Sequence, residues 1–184
     1  MLRAADPEDL PRIENLMQFY NYDLSEWCLA SFGHSGLYAI RPKEAYWQRP
    51  KVRPYIAEAG TELAGFAVVD DEVLEAGTQY NLGYFFLGRR FRGEGNAQKM
   101  AEQLFALHPG RWEIYSIASN LPAMRFWDKA IVRAGCRSVL TREIVADGEA
   151  CRLFSFATPP VRMTQPTPSL YDLGCMRTSL GDNK

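Results

Sequence analysis

The spacing of apolar positions changes period along the chain, and each change predicts an element. Leu10, Ile13, Leu16, Met17 and Tyr20 recur at helical spacing, which predicts a helix with one buried stripe. Asp6 stands ahead of it as a cap, Pro7 in its first turn, and Glu8 and Asp9 at its positive end. Leu2 to Ala5 precede it as a short strand. From Asn21 to Arg53 the period is lost, and Gly33, Gly36, Pro42 and Pro50 interrupt Trp27, Phe32, Tyr38, Tyr46 and Trp47. That stretch reads as short helices and loops, the kind of segment that carries specificity. Pro54 to Ala59, Glu62 to Val69 and Gln79 to Leu87 follow as strands, the first two joined by a tight turn at Ala59-Gly60-Thr61.

Helical spacing returns at Ala97, Met100, Ala101, Leu104 and Leu107 until Pro109-Gly110 ends it, and Trp112 to Ala118 is again a strand. Ala123, Phe126, Trp127, Ala130, Ile131 and Ala134 share one face of a second amphipathic helix, with Pro122 near its start and Gly135 at its end. Arg137 to Val145 and Cys151 to Phe156 form a hairpin around Asp147-Gly148. This order predicts an α+β fold with antiparallel hairpins and one strand-helix-strand crossover. Residues 1–157 form one domain. The stretch from Thr158 to Lys184, rich in proline and threonine and without periodicity, is a tail, either disordered or the arm of a homodimer.

Composition narrows the function. A chain of 184 residues with 47% hydrophobic content holds a single core. Its 21 basic and 22 acidic residues leave a net charge of -1, which supplies no broad field toward nucleic acid or an anionic membrane. With no membrane-length apolar run and no signal-like start, the expected location is cytoplasmic. Cys28, Cys136, Cys151 and Cys175 form no Cys-x-x-Cys pair, and His34 and His108 complete no zinc set.

The chemistry concentrates where the strand ending at Leu87 runs into Gly88-Arg89-Arg90-Phe91-Arg92-Gly93-Glu94-Gly95-Asn96-Ala97 and then a helix. Glycines let a ligand approach the backbone, and free N–H groups at a helix start point at an anion, so a phosphate suits the loop. A solvated basic loop that merely starts a helix fits the same residues. The loop is neither a P-loop, lacking Gly-Lys-Ser/Thr, nor a dinucleotide fingerprint, since Gln98 stands where a third glycine is needed.

Arg92, Gly95 and Ala97 match the Arg/Gln-x-x-Gly-x-Gly/Ala signature of the GNAT superfamily of N-acetyltransferases. After the next strand, Asn120-Leu121-Pro122-Ala123-Met124-Arg125-Phe126-Trp127 is similar to that family's Asn-x-x-Ala helix. The chain resembles predicted bacterial acetyltransferases over roughly residues 2 to 157. The resemblance implies a mixed, mostly antiparallel splayed sheet of about seven strands flanked by helices, with acetyl-CoA as cosubstrate. It places the pyrophosphate on Arg92, Gly93, Glu94, Gly95, Asn96 and Ala97, and the pantetheine arm along the backbone of Phe86, Leu87 and Gly88. It further implies that the Leu87 N–H steadies a developing oxyanion, that Asn120 contacts the pantetheine or the acyl group, and that Phe126 and Trp127 wall the far side, a place core packing explains equally well.

Two positions depart from the family. Tyr84 stands where relatives commonly hold a glutamate, and Trp127 where they hold a tyrosine acid; an indole cannot hand over a proton at neutral pH. Tyr84 shares a strand face with Phe86, either in the acceptor cleft or packed beside that ring. Tyr84, Tyr115, Asp23 and Glu26 are the replacement acids or bases, and Tyr22, Asp23, Glu26 and Tyr84 the expected acceptor-binding set. His34 reads as a loop residue, and Cys28 and Cys136 as apolar filler. The leading expectation is direct acetyl transfer to the amine of a small molecule. A GNAT-fold enzyme of altered chemistry and a non-catalytic CoA-binding module are the alternatives.

Overall fold

The computed structural model describes residues 1–42 and 44–159. Among these residues seven strands make one sheet in the order β1-β2-β3-β4-β5-β7-β6. They are β1 (Leu2–Ala4), β2 (Arg53–Ala59), β3 (Glu62–Asp70), β4 (Tyr80–Leu87), β5 (Arg111–Ile117), β6 (Arg137–Ala146) and β7 (Glu149–Ala157). Every neighbouring pair is antiparallel except β4 with β5, which is parallel. The crossover between those two carries helix α3 (Asn96–Leu107). Helices α1 (Leu10–Leu24) and α2 (Glu44–Trp47) precede the sheet's middle, and α4 (Leu121–Arg133) links β5 to β6. The α+β class, the crossover and the sheet all agree with the sequence reading.

Strand alternation sorts the core into two halves. Phe66, Val68 and Phe86 point to the face covered by Ile13 and Met17 of α1. Ala67, Val69 and Leu87 point to the other, under Met100, Ala101, Leu104 and Phe105 of α3 and Trp127, Ala130 and Ile131 of α4. Full burial of side chains such as Ile13 and Met17 contributes about 1.5–3 kcal/mol each, which is what pins α1 to its face.

Local signals place the helix starts. Asp6 Oδ1 accepts from Glu8 N at 3.0 Å and Asp9 N at 3.2 Å, capping a 3₁₀ turn (Pro7–Asp9) that runs straight into α1. Three expectations shift. Helix α1 continues to Leu24, so the irregular insert begins later than Asn21. Leu107 is exposed, because the α3 stripe runs through Met100, Ala101, Leu104 and Phe105 and its next position is the buried His108. Thr158, assigned by sequence to the tail, is buried and tied to Gly110 by N to O (2.9 Å), while its Oγ1 accepts from Gly110 N (2.8 Å). The rest of the expected tail, 160–184, lies outside the described residues. Among the described residues no helix is long and apolar enough to cross a membrane.

Candidate active site

Strands β4 and β5 pair only at Tyr80 with Trp112 and Asn81 with Glu113. Beyond those residues they splay, and among the described residues the outward-facing backbone of β4 has no strand beside it. The donation from Gly88 N to Ala64 O at 2.8 Å sets the alternation: Gly88, Phe86 and Tyr84 turn their N–H groups toward β3, whereas Phe85 and Leu87 turn theirs into the splay. Near the same point the register slips from Val68 opposite Tyr84 to Val69 opposite Leu82, leaving Gly83 as a bulge. A bulge bends its strand and re-aims side chains. Leu82 consequently joins the α3–α4 core while Tyr84 stays on the α1 side.

Past Leu87 the chain makes a 3₁₀ turn (Arg89–Phe91), then passes through three consecutive left-handed residues, Gly93 (φ 92°), Glu94 (φ 48°) and Gly95 (φ 77°), into α3. No side chain caps that helix. Asn96 N donates to Gly93 O and Lys99 N to Gly95 O. Among the described residues the N–H groups of Ala97 and Gln98 have no protein acceptor. A Cβ built on Gly93 or Gly95 would meet nothing within 4 Å. Open space over a glycine backbone and free N–H groups at a twelve-residue helix start fit a pyrophosphate. Asn96 has an internal duty as well, its Nδ2 donating to Phe91 O at 3.0 Å to brace the loop.

The arginines of this loop do not stand free. Arg90 pairs with Glu62 at 2.9 Å, Arg89 with Asp23 at 2.7 Å, and Arg92 with Asp23 while its Nε donates to Leu87 O at 2.7 Å. Arg89 and Arg92 share the one carboxylate of Asp23, so part of their charge remains beside the backbone dipoles of the loop. Asp23 therefore serves the loop: although burial opposes it, hydrogen bonds from Arg92 and Arg89 hold its carboxyl below the ordinary range.

A cavity of about 910 Å³ opens on the α1 side of the splay. Tyr20, Tyr46, Tyr84 and Tyr115 line it, with Leu24, Cys28 and Ile40 between them and Arg41, Glu72, Asp147 and Glu149 among its polar groups. Tyr84 stands edge-on to Tyr20, ring centroids 5.6 Å apart, and its hydroxyl has no partner among the described residues. Burial pushes that phenol up to about 12, with the Arg41 charge opposing. Tyr84 therefore stays protonated at neutral pH and acts through hydrogen bonding. Arg41 pairs with Asp147 across the cavity, joining the insert to the β6–β7 turn.

Of the acids, bases and acceptor-binding residues named from sequence, Tyr84 and Tyr115 line this cavity, and Tyr22, Asp23 and Glu26 do not. The helical period decides this. Tyr20, Asn21, Leu24 and Cys28 face inward, which turns Tyr22 and Glu26 to solvent and Asp23 toward Arg89 and Arg92. Leu87 also lies off the cavity, four residues beyond the bulge and so roughly 13 Å along the strand. Asn120 caps α4, its Oδ1 accepting from Ala123 N at 3.0 Å, while its Nδ2 has no partner among the described residues. Trp127 is buried, and Phe126 is half-buried and stacked on Phe85 at 5.8 Å. The sequence reading did not single out Phe85, whose N–H turns into the splay two residues past the bulge, because a bulge has no sequence signal beyond its glycine. It also missed the pairing of Tyr46 with Asp70, two residues far apart in the chain, neither of them in a motif.

A splayed α+β sheet with free N–H groups at the helix start after its fourth strand, beside a large cavity, is an arrangement suited to an acyl-CoA-dependent transferase. Residues 16–131 match the model of the acetyltransferase (GNAT) family, and the chain belongs to that family of N-acetyltransferases, with acetyl-CoA as cosubstrate. A variant of the spermidine N-acetyltransferase SpeG from Vibrio cholerae has the same fold, with TM-score 0.59 and 14% identity over 85% of this chain and 94% of that one. AAC(6')-Ib, solved with paromomycin and acetyl-CoA, gives 0.57 and 17% over 86% and 92%. A GNAT acetyltransferase from Elizabethkingia anophelis with acetyl-CoA bound gives 0.50 and 13% over 85% and 97%. No curated protein matches the sequence.

Proposed function

We propose that the protein transfers the acetyl group of acetyl-CoA to an amine of a small molecule held in the tyrosine-lined cavity, by direct attack and without a covalent enzyme intermediate. The observation that carries this is the cavity itself. Its volume of about 910 Å³ is at the upper end of what small-molecule sites offer, about 300–1,000 Å³, and it opens where β4 leaves β5.

In this reading the Gly93–Ala97 loop holds the pyrophosphate, and Phe86, Leu87 and Gly88 offer backbone groups to the pantetheine arm. The inward N–H groups of Phe85 and Leu87 supply donors for developing negative charge on the carbonyl oxygen. Asn120 presents its free Nδ2 to the arm or the acyl group, and Phe85, Phe126 and Trp127 close the apolar side. Arg41 is paired with Asp147, and Arg49 with Asp71 and Glu72. Glu149 has no ion-pair partner among the described residues, so a carboxylate remains in the lining for a cationic acceptor. The tyrosine walls favour an acceptor with apolar or ring surface.

The test is thiol release from acetyl-CoA with a panel of diamines, amino sugars, arylalkylamines and peptide N-termini. Saturable turnover with a small amine is expected, with KM raised in Glu149→Gln. Turnover confined to peptides, or none with any amine, refutes the reading.

A further inference from the structure

One wall of the acceptor cavity is built around a buried carboxylate. Asp70, the last residue of β3, is 1% exposed. Three donors converge on it: Tyr46 Oη on Oδ2 at 2.6 Å, Asn81 Nδ2 on Oδ1 at 2.9 Å, and Glu72 N on Oδ1 at 3.0 Å. A carboxylate out of water is costly unless its lone pairs are met, and donors on both oxygens favour the ionised form. The β4 bulge makes the room, since a Cβ on Gly83 would stand 2.4 Å from Asp70 Oδ2. Tyr46 lines the cavity beside Gly83 and Tyr84, and its hydroxyl donates to Asp70, which is not itself in the lining.

We propose that Tyr46 and Asp70 form the proton exit for the acceptor amine: an ammonium in the cavity gives a proton to the Tyr46 oxygen while the Tyr46 hydroxyl proton passes to Asp70 Oδ2. This rests on the acetyl-transfer reading above. An ammonium has no lone pair, and an amine with a lysine-like pKa of about 10.4 is neutral in roughly one molecule in 2,500 at pH 7. After the relay the amine is neutral, Tyr46 is again a phenol and Asp70 is a carboxylic acid. The nitrogen lone pair then forms the C–N bond to the acetyl carbon as the C–S bond breaks. The sulfur leaves with the bonding pair and takes the second nitrogen proton, and Asp70 returns its proton to solvent through Tyr46.

Several features suit Asp70 to this task and exclude the neighbouring phenols. Tyr84 and Tyr115 have no acceptor behind their hydroxyls among the described residues, so a proton arriving there has no onward path. Asn81 Oδ1 is buried without a partner. Asn81 Nδ2 and Glu72 N donate to Asp70 Oδ1 whether or not Oδ2 carries the proton, so the relay disturbs only the Oδ2 side. The groups facing Asp70 are Tyr46 on α2, Tyr84 and Asn81 on β4, Tyr115 on β5 and Glu72 after β3, while Arg49 is held by Asp71 and Glu72. Burial raises the Asp70 pKa, against the hydrogen bonds from Tyr46 and Asn81 that lower it. This moves a carboxylate toward the range in which it accepts a proton at neutral pH.

The experiment is the pH dependence of kcat/KM for wild type and Tyr46→Phe, using an amine that the acceptor panel identifies and saturating acetyl-CoA. Tyr46→Phe is expected to lose about 100-fold or more at pH 7, with unchanged acetyl-CoA affinity. The deficit should shrink as pH approaches the amine's own pKa, where solvent supplies neutral amine. Asp70→Asn should show the same recovery, and the double variant no further loss. A deficit equal at all pH values, or none, overturns the relay. A second readout needs no acceptor: infrared difference spectra of wild type against Asp70→Asn must show Asp70 as carboxylate at pH 7. A carboxylic-acid band there overturns the relay independently of the acetyl-transfer reading, which stands or falls on the wild-type panel.

Discussion

Gly95→Ala separates what the loop contributes to binding from what it contributes to folding. Gly95 sits at φ 77°, ψ 9° ahead of α3, and a Cβ there would meet no protein atom within 4 Å. Within the protein the methyl therefore costs only left-handed backbone strain, about 1–2 kcal/mol. For a domain of this size that lowers Tm by roughly 2–8 °C. Gly135, just past α4, provides the control, with φ 70° and equally empty surroundings, so Gly135→Ala should lower Tm by a similar amount. Only at Gly95 does the methyl stand over the N–H groups proposed for the pyrophosphate. Loss of one hydrogen bond to a charged group, about 1.5–3 kcal/mol, predicts a rise in the acetyl-CoA Kd of roughly 10- to 100-fold. Calorimetric titration of both folded variants with acetyl-CoA checks it. Equal Kd values for Gly95→Ala, Gly135→Ala and wild type would refute the assignment of the loop to the pyrophosphate.

Tyr84→Phe removes a cavity-facing hydroxyl and should lower kcat by about one to two powers of ten while leaving the acetyl-CoA Kd unchanged; wild-type turnover at saturating acceptor would return Tyr84 to a packing role. Asp9 accepts two bonds from Arg3, at 2.5 and 3.0 Å, which with a backbone bond hold its carboxyl near 2 against burial. Its folded pKa lies below the unfolded value of about 3.9, so its stabilisation is complete above about pH 4 and lost as pH falls toward about 2; Asp9→Asn should lower Tm at pH 7 and flatten the Tm-against-pH curve between those values. Truncation after Pro159 keeps the Thr158 bonds to Gly110, whereas truncation after Ala157 loses them and should cost about 1–3 kcal/mol more by urea denaturation; equal stability of the two would count against Thr158 as part of the domain.

The elements of this protein follow from local rules that the sequence states directly. The cap at Asp6, the apolar stripes of α1, α3 and α4, the Asp147-Gly148 hairpin and the Arg92–Ala97 turn each depend on residues a few positions apart, whose preferences operate whatever the rest of the chain does. The α+β class and the glycine-rich turn that opens α3 were accordingly legible before any coordinates. What only the tertiary structure decided are relations between distant residues. Asp23 is tied to the loop before α3 because the end of α1 lies beside Arg89 and Arg92, 66 and 69 positions away. Tyr22 and Glu26 fall outside the cavity because the orientation of α1 is set by burying Ile13 and Met17 against β3 and β4. Asp70 meets Tyr46 because a one-residue bulge at Gly83 leaves room for its carboxylate beside β4. The strength of a buried ion pair or hydrogen bond depends on the packing that excludes water from it, and that packing exists only once the sheet and both helical layers are assembled.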